Sequence, residues 1–183
     1  MHPFIQQISQ LFAAQGHHSY GEDITQTEHA VQCAELAILA QESDDLICAA
    51  LLHDIGHLIS TTDIAYGNYK HDSVGAIFLS KHFGPSVTEP IRLHAQAKRY
   101  LCSVEPGYLD SLSAASLDSF NHQGGLMNDI EKHQFINESY AKQSLKLRRW
   151  DDEGKIQELS QQSFDTYLPH LNASFIKAEC DVL

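Results

Sequence analysis

Apolar residues recur along most of this chain with helical spacing. Phe4, Ile5, Ile8, Leu11 and Phe12 fall at intervals that predict a helix over residues 3–15, ended by Gly16. A polar loop follows from His17 to Asp23. Thr25-Gln26-Thr27-Glu28 has the form of a capping box and predicts a helix running to about Ala40, with His29 in its first full turn. Ser43-Asp44-Asp45 offers a cap and an acidic first turn to a helix carrying Leu46 to Asp54, which Gly56 is expected to stop. After a loop with Tyr66-Gly67-Asn68-Tyr69, a helix is expected around His71 to Phe83, with Ala76, Ile77 and Leu79 on its apolar face and Gly84-Pro85 closing it. The next is expected to start near Glu89-Pro90, carry His94 and Lys98, and fade near Cys102.

Pro106-Gly107 marks a turn, and Ser113 to His122 reads as a helix closed by Gly124-Gly125. A weaker segment spans Asp129 to Phe135. Tyr140 to Trp150 predicts a basic helix ending at Asp151-Asp152-Glu153-Gly154, and one or two short helices are expected around Phe164 to Leu168. Strand-like alternation is scarce, and neither a repeat nor a low-complexity linker interrupts the pattern. The expectation is a single all-α domain over residues 1–183, long enough to bury about 70% of its unfolded surface.

Charge narrows the function classes. The formal net charge is −12, from 12 Lys+Arg against 24 Asp+Glu. Nucleic acid and anionic membranes both require a cationic footprint, so neither is expected as a partner. An anionic substrate would need locally gathered Lys, Arg or His. The cysteines at positions 33, 48, 102 and 180 are widely spaced with no CxxC pair, and Cys33 and Cys48 sit among Ala and Leu as small core residues. The N-terminal residues lack a basic n-region, and no stretch approaches the ~20 apolar residues that span a bilayer. A reducing cytoplasm is the expected location. The oligomeric state is left open, a monomer being compatible.

Candidate chemistry gathers around Cys48-Ala-Ala-Leu-Leu-His53-Asp54-Ile-Gly-His57, where a small apolar helix face runs into two histidines and an aspartate. Unpaired polar groups there would cost several kcal/mol, roughly, on burial. Imidazole and carboxylate side by side suit iron, manganese or zinc. His29, His71, His94 and Asp151 lie on or at the ends of other expected helices, from which all six could converge on a bundle core.

That order, His…His-Asp…Asp, resembles the HD-domain superfamily of helical metal-binding proteins, and the additional His71 and His94 match its two-metal subset. Tyr20-Gly-Glu22, Gln26-Thr-Glu-His29-Ala, Ala50-Leu-Leu-His-Asp-Ile-Gly-His57, His94-Ala-Gln-Ala-Lys98-Arg-Tyr-Leu101 and Leu147-Arg-Arg-Trp-Asp151-Asp together resemble the PhnZ family of phosphonate-cleaving oxygenases. The resemblance covers roughly residues 18 to 160. It implies a mixed-valent Fe(II)/Fe(III) pair that uses O2 to split 2-amino-1-hydroxyethylphosphonate into glycine and phosphate. His29, His53, Asp54 and Asp151 would hold one iron and His71 and His94 the other, with Asp54 bridging.

Lys98 lies one helical turn after His94, and Arg148 one turn before Asp151, so each can point with its ligand toward an anion. The resemblance assigns phosphonate contacts to His57, Lys98, Arg148, Ser116 and Ser119. Arg149 points elsewhere and is expected in solvent. Glu22 would give a substrate ammonium a charge-assisted hydrogen bond. Trimethylated amines need aromatic faces more than an acid, so Glu22 favours a primary amine. In the family a loop Tyr occupies an iron position until substrate arrives. Tyr20 is the candidate here, separated from Glu22 by one residue, a shorter spacing than the family's. His17, His18, His82, His122, His133 and His170 have no spacing that ties them to the cluster.

The main alternative is an HD-type phosphohydrolase acting on a small phosphate ester or nucleotide through a metal-activated water. A zincin reading of His53-x-x-x-His57 fails because Asp54 stands where Glu is required. A non-enzymatic HD module would usually have lost some ligands, and an inositol-type oxygenase has no need for both Glu22 and the Lys98/Arg148 pair.

Overall fold

A computed structural model describes residues 1–19, 21–59, 69–157, 159 and 162–176. Among them the chain is all-α, and the one β-type pairing is an isolated bridge between Phe83 and Phe175. The helices are α1 (Pro3–Gln15), α2 (Gln26–Leu39), α3 (Asp44–Leu52), α4 (Ile55–Ile59), α5 (His71–Leu79), α6 (Pro85–Val104), α7 (Ala114–His122), α8 (Asp129–Ile136), α9 (Ala141–Glu153) and α10 (Leu168–Ser174). No helix among the described residues is long and apolar enough to cross a membrane.

Local sequence explains most boundaries. The Thr25 hydroxyl accepts from the Glu28 amide at 3.2 Å while the Glu28 carboxylate accepts from the Thr25 amide at 2.8 Å, completing the capping box that starts α2. Ser43 caps α3, Ser113 caps α7 and Asn128 caps α8. Gly107 and the Gly124-Gly125 pair adopt positive φ, where L side chains are strained.

Three boundaries differ from expectation. Gly56 does not stop a helix. It is buried inside α4, where a Cβ would lie 2.0 Å from the His71 carbonyl oxygen, so glycine is there to let α4 and α5 touch. The expected His71–Phe83 helix ends at Leu79, because Phe83 turns to pair with Phe175 and pack near Phe4. Gly84-Pro85 opens the following helix rather than closing the preceding one. Gly84 is the N-cap of α6 and Pro85 its first residue, which leaves Pro90 inside the helix at the cost of one backbone bond.

The core explains why the site sits where it does. α3 is buried along its whole circumference and packs against α2, α6, α9 and α10. α6 lies between two apolar clusters, with Val87 and Ile91 in the larger and Leu93 and Ala97 in the smaller, which Met127 and Phe135 complete. α9 packs along α6 and buries a face made of Ala141, Ser144, Leu147, Arg148 and Asp151. A helix face that buries Arg148 and Asp151 beside Leu147 must pair those charges, and it does so at the centre of the bundle.

Candidate metal centre

Each candidate ligand comes from a different part of the bundle. His29 stands in the first turn of α2, and His53 and Asp54 form the two-residue step between α3 and α4. His71 opens α5, His94 lies mid-way along α6, and Asp151 is in the last turn of α9. His29, His53, His71, His94 and Asp151 are all buried.

Three of these imidazoles are held in the same way. Nδ1 of His29 lies 2.8 Å from the Gly154 carbonyl oxygen, Nδ1 of His53 lies 2.9 Å from that of Ala50, and Nδ1 of His94 lies 2.6 Å from that of Ile91. A carbonyl only accepts, so each Nδ1 must carry the proton, and each Nε2 turns its lone pair inward. Such outer bonds fix the tautomer of metal-ligating histidines.

The inward atoms then meet. Nε2 of His29 and Nε2 of His53 are 3.2 Å apart, and Nε2 of His71 and Nε2 of His94 are 3.0 Å apart. Facing imidazole nitrogens at that distance repel unless a proton or a metal ion lies between them. Adjacent ligands of one ion at a metal–nitrogen distance of about 2.1 Å stand roughly 3 Å apart, so the spacing fits a shared metal. Asp151 Oδ1 is 3.3 Å from Nε2 of His29 and 3.8 Å from that of His53. Asp54 lies between the two pairs: Oδ2 is 3.8 Å from His29, and Oδ1 is 3.6, 3.4 and 3.8 Å from His53, His71 and His94. The arrangement is a buried metal-binding cluster of histidines and aspartates.

Its electrostatics call for positive charge. Burial alone would raise the Asp54 carboxyl, but His53, His71 and His57 hold it well below the usual carboxylate range. Burial works against protonated His53, yet the Asp54 and Asp151 carboxylates push it up to about 9. His57 stacks on His71 with ring centroids 4.2 Å apart, and burial together with His71 pulls it down to about 3. Cys33 also borders the site, its Sγ 3.8 Å from Nδ1 of His29. Its thiol donates to the Trp150 carbonyl, and burial pushes its pKa well up, as expected of a core cysteine.

The expected anion-binding residues gather beside the cluster. Lys98 is buried and donates to Ser119 Oγ at 2.5 Å and to the Ser116 carbonyl at 3.3 Å. Arg148 is buried, with Nη1 2.5 Å from Asp151 Oδ2, Nη2 on Asp152 and 3.4 Å from Ser116 Oγ, and Nε 3.0 Å from the Tyr108 hydroxyl. Its fork therefore orients Asp151 and Asp152 and reaches Ser116 beside the cluster. Arg149 points outward and pairs with Glu105 over the Tyr108 ring. Glu22 reaches this neighbourhood through Ser113, whose hydroxyl donates to Oε1 at 2.7 Å. Tyr20 lies outside the described residues.

Sequence reasoning passed over three residues here: Lys155, Tyr108 and Asp152. Lys155 Nζ is 2.7 Å from Glu22 Oε1, 3.4 Å from Ser116 Oγ and 3.9 Å from Asp151 Oδ1. Its place four residues after Asp151 is the signal that could have found it. Gly154, which ends α9, obscured that spacing. The remaining histidines keep structural or peripheral roles: His82 stacks on Phe175, His122 on Tyr69, and His170 pairs with Asp44.

An all-helical bundle with this His/Asp centre defines the class, and comparison with known proteins agrees. The HD domain family model matches residues 27–116, which include five of the six candidate ligands; Asp151 lies beyond it. A hydroxymethylphosphonate dioxygenase of Gimesia maris is 41% identical over 165 residues, covering 87% of this chain and 82% of that protein. A [1-hydroxy-2-(trimethylamino)ethyl]phosphonate dioxygenase (glycine-betaine-forming) of Leisingera caerulea is 34% identical over 168 residues, covering 88% and 85%. An uncharacterised protein of Acanthamoeba polyphaga mimivirus is 36% identical over 153 residues, covering 80% and 70%. The chain belongs to the HD-domain phosphonate dioxygenase family.

Proposed function

We propose that this protein is a di-iron dioxygenase that cleaves the C–P bond of a 1-hydroxyalkylphosphonate. The reaction balances as R–CH(OH)–PO3(2−) + O2 → R–COOH + HPO4(2−). The C–H and C–P bonds of one carbon break, and both oxygen atoms of O2 enter the products. With an aminomethyl substituent R, the substrate is the expected 2-amino-1-hydroxyethylphosphonate and the acid is glycine. The observation that carries the reading is the cluster itself, two facing imidazole pairs with Asp54 between them, in a chain this similar to two phosphonate dioxygenases.

His29, His53, Asp54 and Asp151 would hold one iron, and His71 and His94 the other. When bound, the irons supply the redox chemistry that lets triplet O2 react with a carbon-bound hydrogen, and Lewis acidity toward the substrate hydroxyl. The protein's own part is binding and orientation. Lys98 offers its ammonium to the phosphonate, with Ser116 and Ser119 beside it as hydroxyl partners. Arg148 divides its guanidinium between Asp151 and Asp152, and its Nη2 also reaches Ser116 Oγ at 3.4 Å, from where it would offer a donor to a phosphonate oxygen. His57, kept neutral by burial and His71, can accept or donate one hydrogen bond at the pocket edge without adding charge.

The test is anaerobic reconstitution with iron, addition of hydroxymethylphosphonate or racemic 2-amino-1-hydroxyethylphosphonate, and admission of O2. Equimolar O2 uptake and phosphate release are expected. Phosphate release that continues without O2 would overturn the reading in favour of the phosphohydrolase.

A further inference from the structure

The polar groups around Glu22 are not arranged as an ammonium receptor would require. Glu22 is the carboxylate expected to receive a substrate amine, and its Oε1 already accepts from Lys155 Nζ at 2.7 Å and from Ser113 Oγ at 2.7 Å. Both partners of the ion pair are largely shielded, with side chains 18% and 21% exposed. Lys155 also spans inward. Its Nζ lies 3.4 Å from Ser116 Oγ, which is itself 3.4 Å from Arg148 Nη2, and 3.9 Å from Asp151 Oδ1. An ammonium therefore already stands between the loop carboxylate and the cluster. Asp151 and Glu22 hold it charged against burial.

This matters because charge at the substituent separates the two phosphonates named for the relatives. Hydroxymethylphosphonate has only hydrogen there, whereas the Leisingera caerulea protein's substrate has a fixed cation. A cationic substituent brought to Glu22 would find the Lys155 ammonium already there. It would have to break the Lys155–Glu22 pair or sit beside a like charge.

On the reading given under Proposed function, we propose that Lys155 is a specificity-determining residue: by neutralising Glu22 it admits 1-hydroxyalkylphosphonates with a small uncharged substituent and rejects those bearing an ammonium. Hydroxymethylphosphonate is the smallest member of that class, and its acid product would be formate.

The experiment measures binding without turnover. Iron-loaded wild type, Lys155→Met, Lys155→Arg and the Lys155→Met/Glu22→Gln double variant are titrated under nitrogen by calorimetry with hydroxymethylphosphonate and 2-amino-1-hydroxyethylphosphonate. Wild type should bind hydroxymethylphosphonate on the order of 100-fold more tightly than the amino compound. Lys155→Met should cut that preference at least tenfold by strengthening amine binding, because Glu22 is then unpaired. Lys155→Arg should keep the wild-type preference. The double variant should bind the amine more weakly than Lys155→Met does. Wild type preferring the amino compound would overturn the proposal, as would Lys155→Met weakening both ligands equally. The function itself is read separately, by O2-dependent phosphate release from either compound. Release from the amino compound alone overturns only the specificity proposal, whereas release from neither overturns both.

Discussion

His29 and Gly154 are 125 positions apart in sequence, yet Nδ1 of His29 donates to the Gly154 carbonyl oxygen at 2.8 Å. The residue that ends α9 thereby fixes the tautomer of a candidate ligand on α2. A Cβ at Gly154 would lie 2.8 Å from Cys33 Sγ and 2.9 Å from the Trp150 carbonyl, so Gly154→Ala must shift this strand of backbone. Overpacking of this kind costs about 1–3 kcal/mol. The variant should lose stability by that amount in urea unfolding and bind less iron per chain by elemental analysis. Full iron content together with unchanged stability would mean that the carbonyl does not orient His29.

Gly56 bears on the other histidine pair. A Cβ there would stand 2.0 Å from the His71 carbonyl, a backbone atom that cannot swing aside. Gly56→Ala should push α5 away from α4 and carry His71 off the cluster, so that on the proposed di-iron reading the iron stoichiometry falls from two toward one. Mössbauer or EPR spectroscopy of the reconstituted protein would report the loss of coupling between the irons.

Lys98 sets a pH dependence. Burial first, and then the neighbouring Arg148 and Lys155 charges, bring its pKa down to about 7, with Asp151 and Asp54 opposing. A folded value below the unfolded one means that, between about 7 and the usual lysine range, the unfolded chain binds more protons. Lys98 therefore makes stability rise with pH across that window. Substrate affinity runs the other way. As pH rises through about 7 the empty site loses its ammonium, so the phosphonate KM should climb by up to roughly tenfold per unit. Lys98→Arg stays charged. The substrate's own ionisation is common to both enzymes, so the ratio of wild-type to variant KM between pH 6 and 9 isolates the lysine. A constant ratio would remove Lys98 from the anion site.

Tyr108 and Asp152 act on Arg148 from behind, the phenol 3.0 Å from Nε and the carboxylate on Nη2. Burial and Asp152 raise the phenol beyond the usual tyrosine range, so it remains a neutral donor to that carboxylate. Tyr108→Phe should cost about 1–2 kcal/mol of stability for the lost buried bond. It should raise KM more than it lowers kcat, since the guanidinium loses orientation and not charge. A fall in kcat with KM unchanged would place Arg148 outside substrate binding.

Chelation gives the simplest readout of the cluster. Metal that binds the folded chain at a thousand times its dissociation constant contributes about 4 kcal/mol. Removing it should lower Tm by roughly 10 °C in a chain of this size. Equal melting with and without chelator, followed by calorimetry at matched pH, would show that the facing imidazoles are stable without an ion.

Helical spacing and caps alone determined the class of fold and most helix starts. The Thr25–Glu28 box, the Ser43 and Ser113 caps and the apolar face of residues 3–15 are local patterns, and local hydrogen bonding enforces them. The six candidate ligands were also legible, because a buried cluster needs these donor types and their order along the chain is visible. Contacts between distant segments decided the rest. Gly56 reads as a stop until α5 is seen pressed against it. Pro90 reads as a start until the core is seen closing on both sides of α6. The Lys155–Glu22 pair joins residues 133 positions apart. No local rule connects them, since only the folded bundle makes their charges neighbours.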